Sequence, residues 1–336
     1  MRMARVLVVV TLVVAGLVAY AVKQSRAPVS LRPDGIYEVG RTTDLWVDRS
    51  RTDQLAPLGG TPRLLSVWTW YPATSAQGAE SAYAPPGWEG LHRYGWAATS
   101  FGSVRTGTRD DVAFAAGPFP VVVLLPDQGA AAPQYTALAS RIAAQGYLVV
   151  GVTPTYSAGL TVLDGRPVRA SAAGQDPTRR AQFVAVWAAD ARFAAGRAVT
   201  QYGRHADPAK VVYLGHGLGG TAAAAACRAD DRCDGTAALS EEVGAGGKRP
   251  SGKADLVLGG RAFTVEGAER LTFTDVALYR LAPPVRWALP LGRLDGRRAL
   301  EIASAYLGAY LRAVTAGQAW AAPSCPEVRP ADMLGQ

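Results

Sequence analysis

The segment Leu214-Gly215-His216-Gly217-Leu218-Gly219-Gly220 has the spacing of a nucleophile elbow. It follows the apolar run "KVVY" and leads into "TAAAAACRA", which is a strand, turn and helix in order. In the G-x-S-x-G pattern the central serine is displayed on a strained turn, and the backbone N–H of the next residue helps to hold the oxyanion. Here the centre is Gly217, which has no oxygen to attack a carbonyl, and Leu218 is the residue that follows. Glycine adopts positive φ without a steric cost, so the turn can survive this change. Three histidines could act as a base: His92, His205 and His216. The residue before an elbow's centre points away from the pocket, so His216 is expected to be packed or hydrogen-bonded. His92 and His205 fall in stretches that read as irregular. Glu241 and Glu242 follow Ser240, but no base or nucleophile stands beside Glu241 to make it a shifted acid.

The elements that would position this turn alternate in type. "FPVVVLLP" and "YLVVGV" are short continuous apolar runs, as expected of strands buried on both faces. "PQYTALASRIAAQG" between them predicts a helix ended by Gly146, and residues 177–199 predict a long helix. "KVVYL", "GTAAL", "ADLVL" and "RAFTV" predict further strands, and residues 299–314 a last amphipathic helix. Alternating strands and helices predict an α/β fold with a mostly parallel central sheet and helices on both faces. Ligands bind such sheets at the carboxyl ends of the strands, where the turn at Gly217 lies. Before this core, 1–26 reads as a signal anchor or signal peptide and 27–60 as a linker and edge segment. The main domain is expected over 61–318, with an irregular insertion at 74–115, and 319–336 reads as a tail. Trp88 and Trp96 in the insertion read as satellite core, with an interaction surface as the other reading.

The chain resembles a family in several spaced blocks. These include "DGIYEVGRTTDLWVDRSR", "VWTWYPA", "GPFPVVVLLPDQG" and "YTALASRIAAQGYLVVGVTPTY". They continue with "GHGLGGTAAAAACRADDRCDG", "GAERLTFTDVAL" and "DGRRALEIASAYLGAYL". In these the chain is similar to the platelet-activating factor acetylhydrolase group of secreted and membrane-associated esterases, especially bacterial relatives. The resemblance implies an α/β-hydrolase fold and a Ser-His-Asp site for carboxylic esters, including short acyl groups on phospholipids. The family's nucleophile matches Gly217, its acid matches Ser240 in "AALSE", and its base matches Arg270 in "GAERLTFTD". A guanidinium stays protonated and cannot take a proton from a hydroxyl. In the family's oxyanion turn this chain has "LPDQGAA", with Asp127 and Gln128 where backbone N–H groups would face the oxyanion. As a turn residue Asp127 is expected to point to solvent; turned inward, its carboxylate would oppose an anion. Matching positions also suggest an ion pair of Glu241 with Arg270 in the emptied pocket. The implied protein is a degenerate hydrolase with a binding or scaffolding role. The alternative is an ester hydrolase using relocated residues.

Composition narrows the partners. With 49% hydrophobic residues, the 336-residue chain can bury a large core. The net charge of +8 comes from scattered arginines with no nucleic-acid-reading motif, so no nucleic-acid partner is implied. A lipid, acyl or anionic small molecule fits the emptied site, and no protein partner is indicated. Near the N-terminus Arg2 and Arg5 precede an uncharged run, Val6 to Val22, of about 26 Å as a helix, slightly short of a ~30 Å hydrocarbon core. Positive charge before it places the N-terminus in the cytoplasm and the rest outside, whether anchored or cleaved near Ala19-Tyr20-Ala21. Cys227 and Cys233 could close a small disulfide loop in that compartment, with two buried thiols as the other reading, and Cys325 stands alone. Three histidines and three cysteines give a zinc site little support, and neither metal nor cofactor is implied.

Overall fold

The structure, a computed structural model, describes residues 2–88, 97–240, 254–260 and 262–331. The chain begins with helix α1 (Arg2–Ser25), whose apolar side chains lie exposed. Strands β1 (Val29–Ser30), β2 (Glu38–Thr52), β3 (Pro62–Ala73), β4 (Val104–Arg105) and β5 (Arg109–Asp110) follow. The core alternates β6 (Phe119–Leu125), α2 (Thr136–Ala144) and β7 (Leu148–Thr153). A hairpin of β8 (Leu160–Leu163) and β9 (Arg166–Arg169) leads to the short helix α3 (Ala172–Gln175) and the long helix α4 (Arg180–Tyr202). Then come β10 (Ala206–His216), α5 (Leu218–Arg228), β11 (Cys233–Leu239), β12 (Ala254–Leu258) and β13 (Phe263–Val265). Helices α6 (Pro283–Ala288) and α7 (Gly296–Thr315) and strand β14 (Val328–Pro330) complete the chain.

The central sheet has the order β14-β13-β12-β11-β10-β6-β7-β3-β2-β5. Neighbours from β13 through β7 run parallel, while β3 is antiparallel to both β7 and β2. Period-two alternation in the buried strands supplies both faces of the core. Val121, Val123, Val211 and Tyr213 pack with Phe183, Trp187 and Ala222 of α4 and α5 on one face. Val122, Leu124, Val212 and Leu214 pack with Leu138, Ile142, Tyr306 and Leu307 of α2 and α7 on the other. This is the α/β architecture, a mostly parallel sheet with helices on both faces, that the alternating pattern predicted.

Two segments are more structured than the sequence suggested. The 27–60 stretch is built into the sheet: β2 pairs with β3 from Glu38↔Ala73 to Asp48↔Arg63. Val29, Leu31, Trp46 and Leu55 within it are buried, and β2 lies beside the last strand of the sheet, the place expected of an edge segment. The C-terminal tail adds β14 antiparallel to β13, and Trp320 packs against Phe263, Tyr306 and Tyr310. Weak periodicity hid both, because pairing with distant strands and not local pattern holds them. In the insertion Trp88 is buried beside Ala131, Ala158 and Leu160, while Trp96 lies outside the described residues. Cys227 and Cys233 form a disulfide that ties the end of α5 to the start of β11, and Cys325 is a free, partly buried thiol.

Chain order and sheet order diverge at β6. From β6 the chain passes to its neighbour β7, and later returns to β10 on the opposite side of β6. The crevice at the carboxyl ends of β6 and β10 is therefore a topological switch point, where this class of sheet places its ligand site.

Candidate active site

Ladder register sets three loop residues side by side at that crevice. Leu124 and Leu125 pair with Leu214 and Gly215, and His216 pairs with Leu239. Asp127 thus stands two residues past the end of β6, Gly217 one past β10, and Ser240 one past β11. Gly217 has φ 52° and ψ −121°, a conformation essentially restricted to glycine and held as strain when another residue adopts it. Its N–H donates to the Leu239 carbonyl at 2.9 Å, and its carbonyl accepts from Gly220 N–H at 3.0 Å. Gly215 allows the close turn, because a Cβ there would overlap the Gly219 carbonyl.

Asp127 fills the space over the elbow. A Cβ built on Gly217 would fall within the volume of the Asp127 carboxylate. Oδ1 of Asp127 accepts from the Leu218 backbone N–H at 3.1 Å and from the Gln128 N–H at 2.7 Å. Those are one donor just after the elbow's centre and one from the loop after a neighbouring strand, the two kinds that an esterase directs at an oxyanion. Oδ2 receives the Arg270 Nε at 2.5 Å, and Arg270 Nη2 donates to the Gln128 carbonyl at 3.0 Å. The carboxylate is 3% exposed, whereas the Arg270 side chain is 48% exposed, so the pair is lidded on one side by its own cation. The expectation of a solvent-facing Asp127 is overturned. Two backbone donors and a guanidinium together outweigh hydration of a carboxylate that is otherwise a turn residue.

The loop that presents Arg270 is fixed by its own hydrogen bonds. Thr272 Oγ1 accepts from Glu269 N–H at 2.7 Å and donates to the Leu291 carbonyl at 2.9 Å. Leu271 N–H donates to the Pro290 carbonyl at 2.8 Å. Ser240 is partly buried, has φ 47°, and its N–H donates to the Leu258 carbonyl at 2.9 Å. Glu241, proposed from the sequence as an ion-pair partner of Arg270, lies outside the described residues, as do Glu242 and His92.

Beneath the elbow, His216 is fully buried and its Nδ1 lies 2.7 Å from Tyr135 Oη. Asp127 N–H donates to the same oxygen at 3.2 Å, so the Tyr135 hydroxyl proton is free to face Nδ1. That assignment leaves the imidazole proton on Nε2. Burial pushes the His216 pKa down to about 4, against a smaller opposing pull from the Asp127 charge. The ring is neutral at physiological pH and braces the Asp127 backbone through Tyr135. His205 stacks on Phe114 at 4.8 Å, away from the crevice.

Sequence reasoning missed two supporting groups. Tyr135 is one of them. Asp275 is the other, fully buried and accepting from Thr136 N–H at 2.9 Å and Ala137 N–H at 3.1 Å, which caps α2. Burial raises its pKa to about 7, despite those backbone hydrogen bonds. Its position in "LTFTDVAL", between Phe273 and Val276, carried the signal, since a carboxylate flanked by apolar residues has to find donors when buried.

The site has a negative charge where a tetrahedral intermediate would develop one, occupied oxyanion donors, and no oxygen on residue 217. Among the described residues no group of three His, Cys, Asp or Glu side chains could hold a metal ion.

No protein-family model matches the sequence. No curated protein matches it either. Among solved structures the chain is similar to a ferulic acid esterase from Streptomyces cinnamoneus, with 26% identity and a TM-score of 0.76 over 90% of this chain and 99% of that one. A second solved structure, m3DLH, matches at 14% identity and a TM-score of 0.37 over 66% and 68% of the two chains, too loosely to carry an argument.

Proposed function

We propose that the protein is a catalytically degenerate α/β-hydrolase-fold protein of the cell envelope, with a binding or scaffolding role in place of ester hydrolysis. In this reading it derives from serine esterases of the platelet-activating factor acetylhydrolase type, with Gly217, Ser240 and Arg270 at the former nucleophile, acid and base positions. The observation that carries it is the Asp127 carboxylate seated on the Leu218 and Gln128 N–H groups and held there by Arg270. Loss of nucleophile or base alone removes about a millionfold of rate in a well-studied triad, so an esterase lacking both retains little beyond binding. Here the oxyanion donors are taken as well. The esterase neighbour supports the scaffold as that of an ester hydrolase. Helix α1 is long and apolar enough to cross a membrane, a test that a signal sequence also passes, and the Cys227–Cys233 disulfide fits an oxidising compartment.

The test is direct. Purified full-length protein should neither hydrolyse p-nitrophenyl acetate above a heat-denatured control nor react with a fluorophosphonate probe. Stoichiometric probe labelling of any serine would overturn the reading.

A further inference from the structure

Away from the crevice, a cavity of about 260 Å³ opens where the chain leaves α1 and joins the domain. That is a little under the ~300–1,000 Å³ of pockets for drug-sized ligands, so it suits something smaller. Its walls carry Arg32, Arg105 and Arg109 together with Glu38 and Glu80. The junction is built, not loose: Ser25 accepts from Ser100 N–H at 2.8 Å, β1 pairs with β4 at Val29↔Val104 and Ser30↔Arg105, and Leu31 N–H donates to the Arg105 carbonyl at 2.7 Å. Gly107 lets the loop between β4 and β5 pass close to the Arg32 stem, because a Cβ there would lie 2.8 Å from Cγ of Arg32.

The charges in this cavity are unevenly committed. Glu80 accepts from Gly107 N–H at 2.7 Å and stands 3.9 Å from Arg105. Arg109 donates Nε to the Ala76 carbonyl at 2.9 Å and Nη1 to the Thr108 carbonyl at 3.0 Å, which holds its guanidinium in place. The side chains of Arg32 and Glu38 line the same space, yet neither makes a hydrogen bond or ion pair among the described residues, with each other or with anything else. A plain anion would satisfy the arginines and oppose Glu38. A plain amine would do the reverse. A ligand with both charges separated by a short spacer satisfies each.

We propose that this cavity binds a phosphate ester carrying a primary ammonium, the chemistry of phosphoethanolamine. Arg32, with Arg105 and Arg109, faces the phosphate, and Glu38 faces the ammonium. Such a group reaches the site either free or as a lipid headgroup. Arg32 is seven residues beyond the end of α1, at most about 25 Å along the chain, so a headgroup is within range if α1 spans a bilayer.

Isothermal titration of the full-length protein in detergent with O-phosphoethanolamine tests this, with inorganic phosphate and ethanolamine as separate probes. The expected result is one saturable site for phosphoethanolamine, bound more tightly than either fragment. Arg32→Ala should weaken it at least about tenfold, the scale of one lost charge-assisted contact. Glu38→Gln should weaken phosphoethanolamine and leave inorganic phosphate bound as tightly or more tightly, because it removes the ammonium's partner and a charge that opposes the anion. Native mass spectrometry then separates the sources: retention of phosphatidylethanolamine over phosphatidylcholine, displaced by phosphoethanolamine, identifies a headgroup, and binding of the free compound alone identifies a soluble ligand. No saturable binding of phosphoethanolamine overturns the proposal. So does binding that is indifferent to Arg32→Ala, or a Glu38→Gln effect equal for phosphoethanolamine and inorganic phosphate. Esterase activity enters none of these readouts, so they stand apart from the test of the crevice.

Discussion

Serine at position 217 would return the missing oxygen, yet its Cβ would be built into the Asp127 carboxylate. Two costs follow. A side chain at φ 52°, ψ −121° stores about 1–3 kcal/mol of backbone strain. Overpacking against a side chain fixed by two backbone N–H groups and a guanidinium adds about 1–3 kcal/mol. Gly217→Ser should therefore destabilise the native protein by about 2–6 kcal/mol, whereas in an Asp127→Ala background only the backbone cost of about 1–3 kcal/mol remains. Denaturant unfolding of the four proteins of this double-mutant cycle measures the coupling directly, with about 1–3 kcal/mol expected. The catalytic counterpart is equally definite. Gly217→Ser, Ser240→Asp and Arg270→His together should give no p-nitrophenyl acetate turnover while Asp127 remains, and measurable turnover once Asp127→Ala frees the Leu218 and Gln128 N–H groups. A coupling within about 0.5 kcal/mol of zero, the usual additivity error, would refute the claim that the carboxylate occupies the nucleophile's space. A triple variant as active as the quadruple one would refute its role in blocking the oxyanion donors.

Arg270→Gln, which removes the cation from a buried carboxylate but leaves its backbone donors, should lower stability by about 1–3 kcal/mol, less than for a fully buried pair because the guanidinium is half exposed; denaturant midpoints read this out. Asp275 titrates near 7 when folded and near 4 when unfolded, so the native state holds the extra proton between those values. Its contribution to stability is therefore greatest below about pH 4 and falls by up to roughly 4 kcal/mol as pH rises through 7. Asp275→Asn should flatten the dependence of thermal stability on pH between about 4 and 7, and an unchanged profile would contradict the assignment. Reduction of the Cys227–Cys233 bridge, or Cys227→Ser with Cys233→Ser, should cost roughly 2 kcal/mol for so short a loop, with non-reducing peptide mapping to verify the pairing.

The α/β architecture was legible because its signals are local. Apolar runs such as Phe119–Leu125 mark strands buried on both faces, and the glycines at 215, 217 and 219 mark one sharp strand-to-helix turn. Absence of an oxygen at 217 needs no coordinates at all. The β2 and β14 segments were not legible, since their residues gain their conformation from partners across the sheet: Glu38 from Ala73, and Val328 from Val265.

The sequence by itself determined that residue 217 cannot attack an ester and that residue 270 cannot accept a proton, because side-chain chemistry is fixed by residue type. Only the tertiary structure decided that Asp127 turns inward. That choice between two rotamer directions depends on a guanidinium 143 residues away and an amide 91 residues away, which the fold alone brings within hydrogen-bond distance.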